Sequence, residues 1–204
     1  MIAPPSKIVC VGRNYREHAR ELGNDVPAEP LIFLKPPSSL IGSGDEIVLP
    51  TEFSSQVEYE GEIGLVIGSR LKNAGEAEGM QGLAGVVALN DVTARDLQGR
   101  DSQWTRAKGF DTFCCVGNLW TGDVNVGEIE VVTRLNGQER QRGTSAEMVF
   151  PIPFLISYIS RLMTLLPGDL IATGTPSGVG RLASGDVVEI ELMGRSMVRN
   201  SVRG

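Results

Sequence analysis

The stretch Val57-Glu58-Tyr59-Glu60-Gly61-Glu62-Ile63-Gly64-Leu65-Val66-Ile67-Gly68 decides how this chain is read, because it sets two acids into a segment that otherwise reads as buried strand. Alternation along a strand turns Glu60 and Glu62 to one face, about 7 Å apart along the backbone, close enough to converge on a cation. The Ile63 to Ile67 run beside them reads as a central strand rather than an edge. Downstream, Leu83-Ala84-Gly85-Val86-Val87-Ala88-Leu89 is an apolar run ending in Asn90-Asp91, which places a third acid at the tip of a buried strand. Three carboxylates without a neighbouring thiol or imidazole suit a hard divalent ion, Mg²⁺, Mn²⁺ or Ca²⁺, better than zinc. The plainer alternative makes Glu60 and Glu62 the solvent face of an edge strand and Asp91 an ordinary turn residue.

Around this stretch the pattern is one of short strands and turns. Lys7 to Val11, Leu31 to Leu34, Glu46 to Leu49, Leu83 to Asn90, Asp169 to Ala172 and Asp186 to Leu192 read as strands. Glu128 to Leu135, Asn136-Gly137 and Gln138 to Arg142 read as a hairpin. Helical stretches are expected at Tyr15 to Leu22, Ala74 to Gln81, Thr93 to Gln98 and Ile152 to Met163, with the chain ending just past the Asp186 to Leu192 strand. With 25 glycines and 11 prolines in 204 residues, tight turns outnumber long helices, and the length fits one domain over 1–204.

A net charge of −6 with no basic run argues against nucleic acid as a partner. No apolar stretch reaches the roughly 20 residues that span a bilayer, and Met1-Ile2-Ala3-Pro4-Pro5 lacks the charged start of a signal peptide, so a cytoplasmic protein is expected. Cys10, Cys114 and Cys115 read as buried reduced thiols rather than a disulfide framework.

Three further features carry chemistry. His18 is the only histidine, and Glu21 follows it by three residues, so on a helix the carboxylate can orient the imidazole as a general base. Lys35 closes an apolar strand, where its charge can point into a cleft, whereas Lys108 is unremarkable by itself. The glycine-rich loop Thr173 to Gly180 lacks a P-loop lysine, which argues against a nucleotide. Its amides and the Thr175 hydroxyl can hold a carboxylate, or the loop can be a plain turn.

Taken as a set, Gly12-Arg13-Asn14-Tyr15 with His18 and Glu21, Phe33-Leu34-Lys35-Pro36, Tyr59-Glu60-Gly61-Glu62, Asn90 to Gln98, Lys108-Gly109-Phe110-Asp111 and Thr173-Gly174-Thr175-Pro176 resemble the fumarylacetoacetate hydrolase family, nearly end to end. The resemblance is to its short, single-domain branch of acylpyruvate hydrolases, oxaloacetate decarboxylases or tautomerases, and 2-hydroxyhepta-2,4-diene-1,7-dioate isomerases. It implies an α+β, mostly β fold, a mixed β-sheet roll with short peripheral helices, in a homodimer. It further implies Glu60, Glu62 and Asp91 as metal ligands, Mg²⁺ first, and His18 with Glu21 and Lys108 as catalytic groups. Arg13, Lys35, Arg95, Gln98 and Thr175 are implied contacts to a small anionic 2-oxo acid. Cys115 departs from the family, standing where many relatives have proline.

The activity this resemblance implies first is hydrolysis of a carbon–carbon bond in a β-diketo acid of acylpyruvate or fumarylpyruvate type, through a pyruvate enolate stabilised by the metal. The same enolate serves decarboxylation or tautomerisation of oxaloacetate and isomerisation of an unsaturated 2-hydroxy dioate, and these are the alternatives.

Overall fold

The computed structural model describes residues 4–204, so Met1 to Ala3 of the N-terminal stretch lie outside the described residues. The largest sheet is seven-stranded and mixed. In spatial order it holds β2 (Leu31–Lys35), β1 (Ile8–Gly12), β12 (Leu170–Ala172), β6 (Gly61–Ile67), β7 (Leu83–Asp91), β9 (Cys114–Val116) and β3 (Leu40–Gly42). A five-stranded sheet runs β11 (Gln138–Thr144), β10 (Glu130–Leu135), β14 (Val187–Leu192), β15 (Ser196–Arg203) and β4 (Glu46–Val48). A small third sheet joins β13 (Gly180–Arg181), β5 (Val57–Tyr59) and β8 (Thr93–Ala94). The parallel pairs are β1 with β12, β15 with β4 and β3 with β9.

The main core lies where the two larger sheets face each other: Val9, Ile63, Leu65, Val86 and Ala88 meet Val131, Val188, Ile190 and Val198. A second cluster, Ile8, Cys10, Val66, Val87, Leu89 and Cys114, covers the opposite face of the seven-stranded sheet. Burial on both faces is why β6 and β7 read as continuous apolar runs. Among the described residues five short α-helices lie at the periphery: α1 (Arg16–Glu21), α2 (Glu76–Gln81), α3 (Arg95–Arg100), α4 (Thr105–Lys108) and α5 (Ile152–Leu162). Helix α5 buries Ile152, Leu155, Ile156 and Ile159, and Ile156 packs where α2 presents Gly79. The outcome is a mostly β, curled mixed sheet with few short helices, as the sequence implies.

Two expectations need correction. The Val57 to Ile67 stretch is not one strand: it breaks at Glu60, leaving β5 in the small sheet and β6 in the large one. The Glu60 backbone is served by other partners there, since its N–H donates to Asn90 Oδ1 (3.0 Å) and its carbonyl accepts from Asp91 N–H (2.9 Å). Nor does the chain end after β14; it turns and adds β15, whose residues Ser196 to Ser201 pair with the whole of β14. Among the described residues no helix is long and apolar enough to cross a membrane.

Candidate active site

The break at Glu60 and the end of β7 bring three acids together. One carboxylate oxygen from each of Glu60, Glu62 and Asp91 falls within 4.8 Å of the others, and all three residues are buried. Gly61 sits between the first two because a Cβ there would run into the Thr133 hydroxyl and Gln141 Oε1.

Cations tie down two of the three acids. Lys108 Nζ donates to Glu60 Oε2 (2.8 Å) and to Asp91 Oδ2 (2.6 Å), Lys35 Nζ to Asp91 Oδ1 (2.5 Å), and Arg95 Nη2 to Glu60 Oε1 (2.5 Å). Glu62 differs. Among the described residues it has no cationic partner, and its single donor is the Gly174 N–H at 2.8 Å. Burial pushes Glu62 well above the usual carboxylate range, and the neighbouring Asp91 and Glu60 push it further. Burial also pushes Glu60 up, but Lys108 and Arg95 more than offset it, holding Glu60 well below that range. The same acids outweigh desolvation at Lys108 and raise it.

This donor set fits a hard divalent cation. It is all oxygen, its ligand atoms already converge, and Glu62 is a buried acid beside two others with no counter-ion among the described residues, an arrangement that a cation relieves.

These carboxylates form the floor of a cavity of about 420 Å³ walled by Arg13, His18, Phe33, Arg95, Gln98, Trp104, Lys108, Gly174 and Thr175 among others. His18 enters from α1, almost wholly buried, with Nδ1 3.2 Å from Glu21 Oε2. A carboxylate at Nδ1 favours the tautomer with its proton there, which leaves Nε2 as the acceptor. Glu21 in turn accepts the Gly178 N–H at 3.0 and 3.2 Å. The glycine-rich loop therefore grips two carboxylates of the chain itself, Glu62 through Gly174 and Glu21 through Gly178, rather than standing free.

The remaining expected residues divide. Arg13 lines the cavity in a left-handed conformation (φ 57°) and has no carboxylate partner among the described residues. Lys35 does not reach the cavity wall; it is 1% exposed behind Asp91, with Val92 O as its other acceptor (3.1 Å). Arg95 and Gln98 bond each other (2.5 Å). The Thr175 hydroxyl donates to Gly61 O and accepts from Gln141 Nε2, both at 2.8 Å, which takes up its proton within the fold.

Four residues that the sequence did not single out hold this arrangement. Asn14 clamps the start of α1 to two loops, donating to Thr173 O (2.8 Å) and Phe150 O (3.1 Å) and accepting Phe150 N–H (2.8 Å). Asn90 anchors Glu60, and Gln141 anchors Gly61 through the Gly61 N–H (2.9 Å). Glu58 accepts from Arg95 Nε (2.8 Å). Asn14, Glu58 and Asn90 lie inside stretches already marked as informative; Gln141 lies in a hairpin strand of charged and polar residues that gives no sign of burial.

A curled, mostly β scaffold that buries three convergent acids opposite an acid-backed histidine defines a cleft built for a hard cation and a proton carrier. The fumarylacetoacetate hydrolase C-terminal family matches residues 7–203, and the chain belongs to that family of enzymes. The mitochondrial oxaloacetate tautomerase of Arabidopsis thaliana is 41% identical, the match covering 99% of this chain and 93% of that one. The structure of the 2-hydroxyhepta-2,4-diene-1,7-dioate isomerase from Mycobacterium marinum superposes with a TM-score of 0.90 at 42% identity, over 98% of this chain and 75% of that one. Fumarylpyruvate hydrolase from Pseudomonas aeruginosa, solved with Mn²⁺ and pyruvate, gives 0.91 at 30% identity, over 98% and 90%.

Proposed function

We propose that this enzyme acts on a short 2-oxo dicarboxylate, oxaloacetate foremost, by moving a proton between its enol and keto forms with the help of a divalent cation, Mg²⁺ or Mn²⁺. The observation that carries this reading is that the acid triad and His18, backed by Glu21, line one cavity. A cation held by Glu60, Glu62 and Asp91 would supply a Lewis acid for the substrate's 2-oxygen and a neighbouring carboxylate oxygen.

The protein's own groups do the rest. His18 Nε2 takes the proton from the enol hydroxyl and returns one to C3, and the Glu21 carboxylate steadies the imidazolium between the two transfers. Lys108, an ammonium between Glu60 and Asp91, adds positive charge where the enolate oxygen develops. Arg13, on the cavity wall without a carboxylate partner among the described residues, suits the distal carboxylate, which a simple acylpyruvate lacks. The tautomerase relative at 41% identity, against 30% for the hydrolase, supports placing tautomerisation ahead of the carbon–carbon hydrolysis implied by the sequence motifs.

Hydrolysis is the second reading, favoured by the same buried His18, which in that chemistry deprotonates a water for attack on the distal carbonyl. A homodimer in the cytoplasm is part of the proposal, and light scattering after size exclusion tests the dimer.

The deciding experiment follows enol oxaloacetate and acetylpyruvate by ultraviolet absorbance with Mg²⁺ or Mn²⁺, using wild type, His18→Ala and Glu60→Ala. Cation-dependent ketonisation of oxaloacetate, lost in both variants, supports the proposal. Cleavage of acetylpyruvate with oxaloacetate unaffected overturns it in favour of the hydrolase.

A further inference from the structure

We propose that Glu58 is a positioning residue for the cation site, setting how Arg95 holds Glu60; this rests on reading Glu60, Glu62 and Asp91 as cation ligands.

Glu58 is buried on β5, two residues before Glu60, and pairs across the small sheet with Thr93, just ahead of Arg95 at the start of α3. Three nitrogens of the Arg95 guanidinium are each committed to a different partner: Nε donates to Glu58 Oε2 (2.8 Å), Nη1 to Gln98 Oε1 (2.5 Å) and Nη2 to Glu60 Oε1 (2.5 Å). The other Glu58 oxygen accepts from Gln56 Nε2 (2.8 Å), so the acid that fixes Arg95 is itself fixed.

The consequence lies in the planarity of the guanidinium. Its favoured grip on a carboxylate is two parallel N–H bonds, which would cover both oxygens of Glu60. With Nε drawn to Glu58 on one side and Nη1 to Gln98 on the other, only Nη2 reaches Glu60. Arg95 thereby holds Glu60 at Oε1 alone and leaves Oε2, which accepts from Lys108 Nζ (2.8 Å), uncovered by the guanidinium. Removing Glu58 frees Nε and lets Arg95 turn to grip Glu60 with two nitrogens. Both Glu60 oxygens are then covered by the guanidinium, which competes with the bound cation for Oε2. Glu58 touches neither the cation position nor the cavity wall; it works through Arg95.

The test is the Mn²⁺ dissociation constant of the substrate-free protein, read from the electron paramagnetic resonance of free Mn²⁺, for wild type, Glu58→Ala, Glu58→Gln, Arg95→Gln and the double variant Glu58→Ala with Arg95→Gln. The melting temperature of the metal-free form is recorded beside it. Glu58→Ala is expected to weaken Mn²⁺ binding by about tenfold, in the range by which groups behind metal ligands tune affinity. Glu58→Gln, which keeps an acceptor for Nε, recovers most of that loss. In the Arg95→Gln background Glu58→Ala changes nothing, because the competing fork is gone.

Wild-type affinity in Glu58→Ala overturns the proposal, as does the same loss with or without Arg95, or a lowered melting temperature with unchanged affinity. A wild type that takes up no Mn²⁺ overturns both this proposal and the cation reading beneath it. Wild-type Mn²⁺ binding without turnover of either 2-oxo acid instead strikes at the proposed reaction alone.

Discussion

Among single residues, Lys35 and Glu21 act behind the groups that face the cavity. Lys35 places an ammonium in the interior against Asp91 and Val92 O, 5.9 Å from the centre of the Phe113 ring. Removing one member of a buried ion pair strands the other, at about 3 kcal/mol or more. Lys35→Met is therefore expected to lower urea-unfolding stability by about 3 kcal/mol, although Asp91 retains Lys108. A loss under about 1 kcal/mol would show that Lys108 alone compensates Asp91. Glu21 is read in kinetics instead. Glu21→Gln preserves the size and the acceptor for Gly178 N–H but removes the charge that steadies protonated His18. It should lower kcat by about a hundredfold with little change in KM, within the usual span of general acid–base contributions. A KM effect with kcat intact would make Glu21 a binding residue.

At the scale of elements, the site depends on how β1, β12 and the loop after β12 are pinned together. Asp169, just before β12, accepts from Ser6 N (3.0 Å), Ser6 Oγ (2.6 Å) and Leu166 N (2.8 Å), and forms an ion pair with Lys7 at the entry to β1. Burial pushes Asp169 up, but these donors and Lys7 outweigh it, so its carboxyl lies below the ordinary aspartate range. A carboxylate whose folded pKa is depressed contributes stability that is present above its unfolded value, about 3.9, and lost as pH falls through the folded value. Wild type is thus expected to lose stability on acidification below about pH 4 more steeply than Asp169→Asn, which starts lower and lacks this contribution. Parallel curves in denaturant melts across that range would remove Asp169 from the acid response.

The elements also differ in how plainly the sequence declares them. Strands β6 and β7, helix α5 and the Asn136-Gly137 hairpin are legible because one periodicity and one turn signal dominate each; the turn residues do adopt positive φ, 53° and 78°. Strand β15 is not. Its inward face is Ser196, Val198, Asn200 and Val202, two of them polar, while Met197 faces out. Ser196 and Asn200 can be buried only because partners wait for them: Ala88 N–H donates to Ser196 Oγ, and Asn200 Nδ2 donates to Gly42 O and Asp45 O, each at 2.8 Å. Those contacts span more than 100 residues of chain and leave no local trace. The break at Glu60 is hidden for the same reason, since Asn90 supplies what a strand neighbour would. In the site, residue types that announce chemistry were readable one by one; that Lys35 faces inward behind Asp91, and that Gln141 is buried, is decided by packing across sheets.

For the whole molecule, the three acids stand where two sheets meet: Glu60 at the junction of β5 and β6, Glu62 on β6 and Asp91 at the end of β7, with the small sheet attached through β5. A cation bound there fastens the small sheet to the large one, so its binding energy is felt by the global fold and not only by a loop. Ligand bound to the native state alone stabilises by about 2.7 kcal/mol at a hundred times its dissociation constant. For a chain of this size that raises the melting temperature by roughly 5–10 °C. Mn²⁺ at that excess should shift the whole transition as one, as expected if the chain is a single domain, and a chelator should reverse the shift. Glu62→Gln is the most informative companion, because it replaces a buried acid that among the described residues has no protein cation to balance its charge. The variant should melt no lower than metal-free wild type while losing the Mn²⁺ shift. An undiminished shift in Glu62→Gln would exclude Glu62 from the ligand set, and a transition that splits into two steps on adding Mn²⁺ would show that the sheets unfold separately.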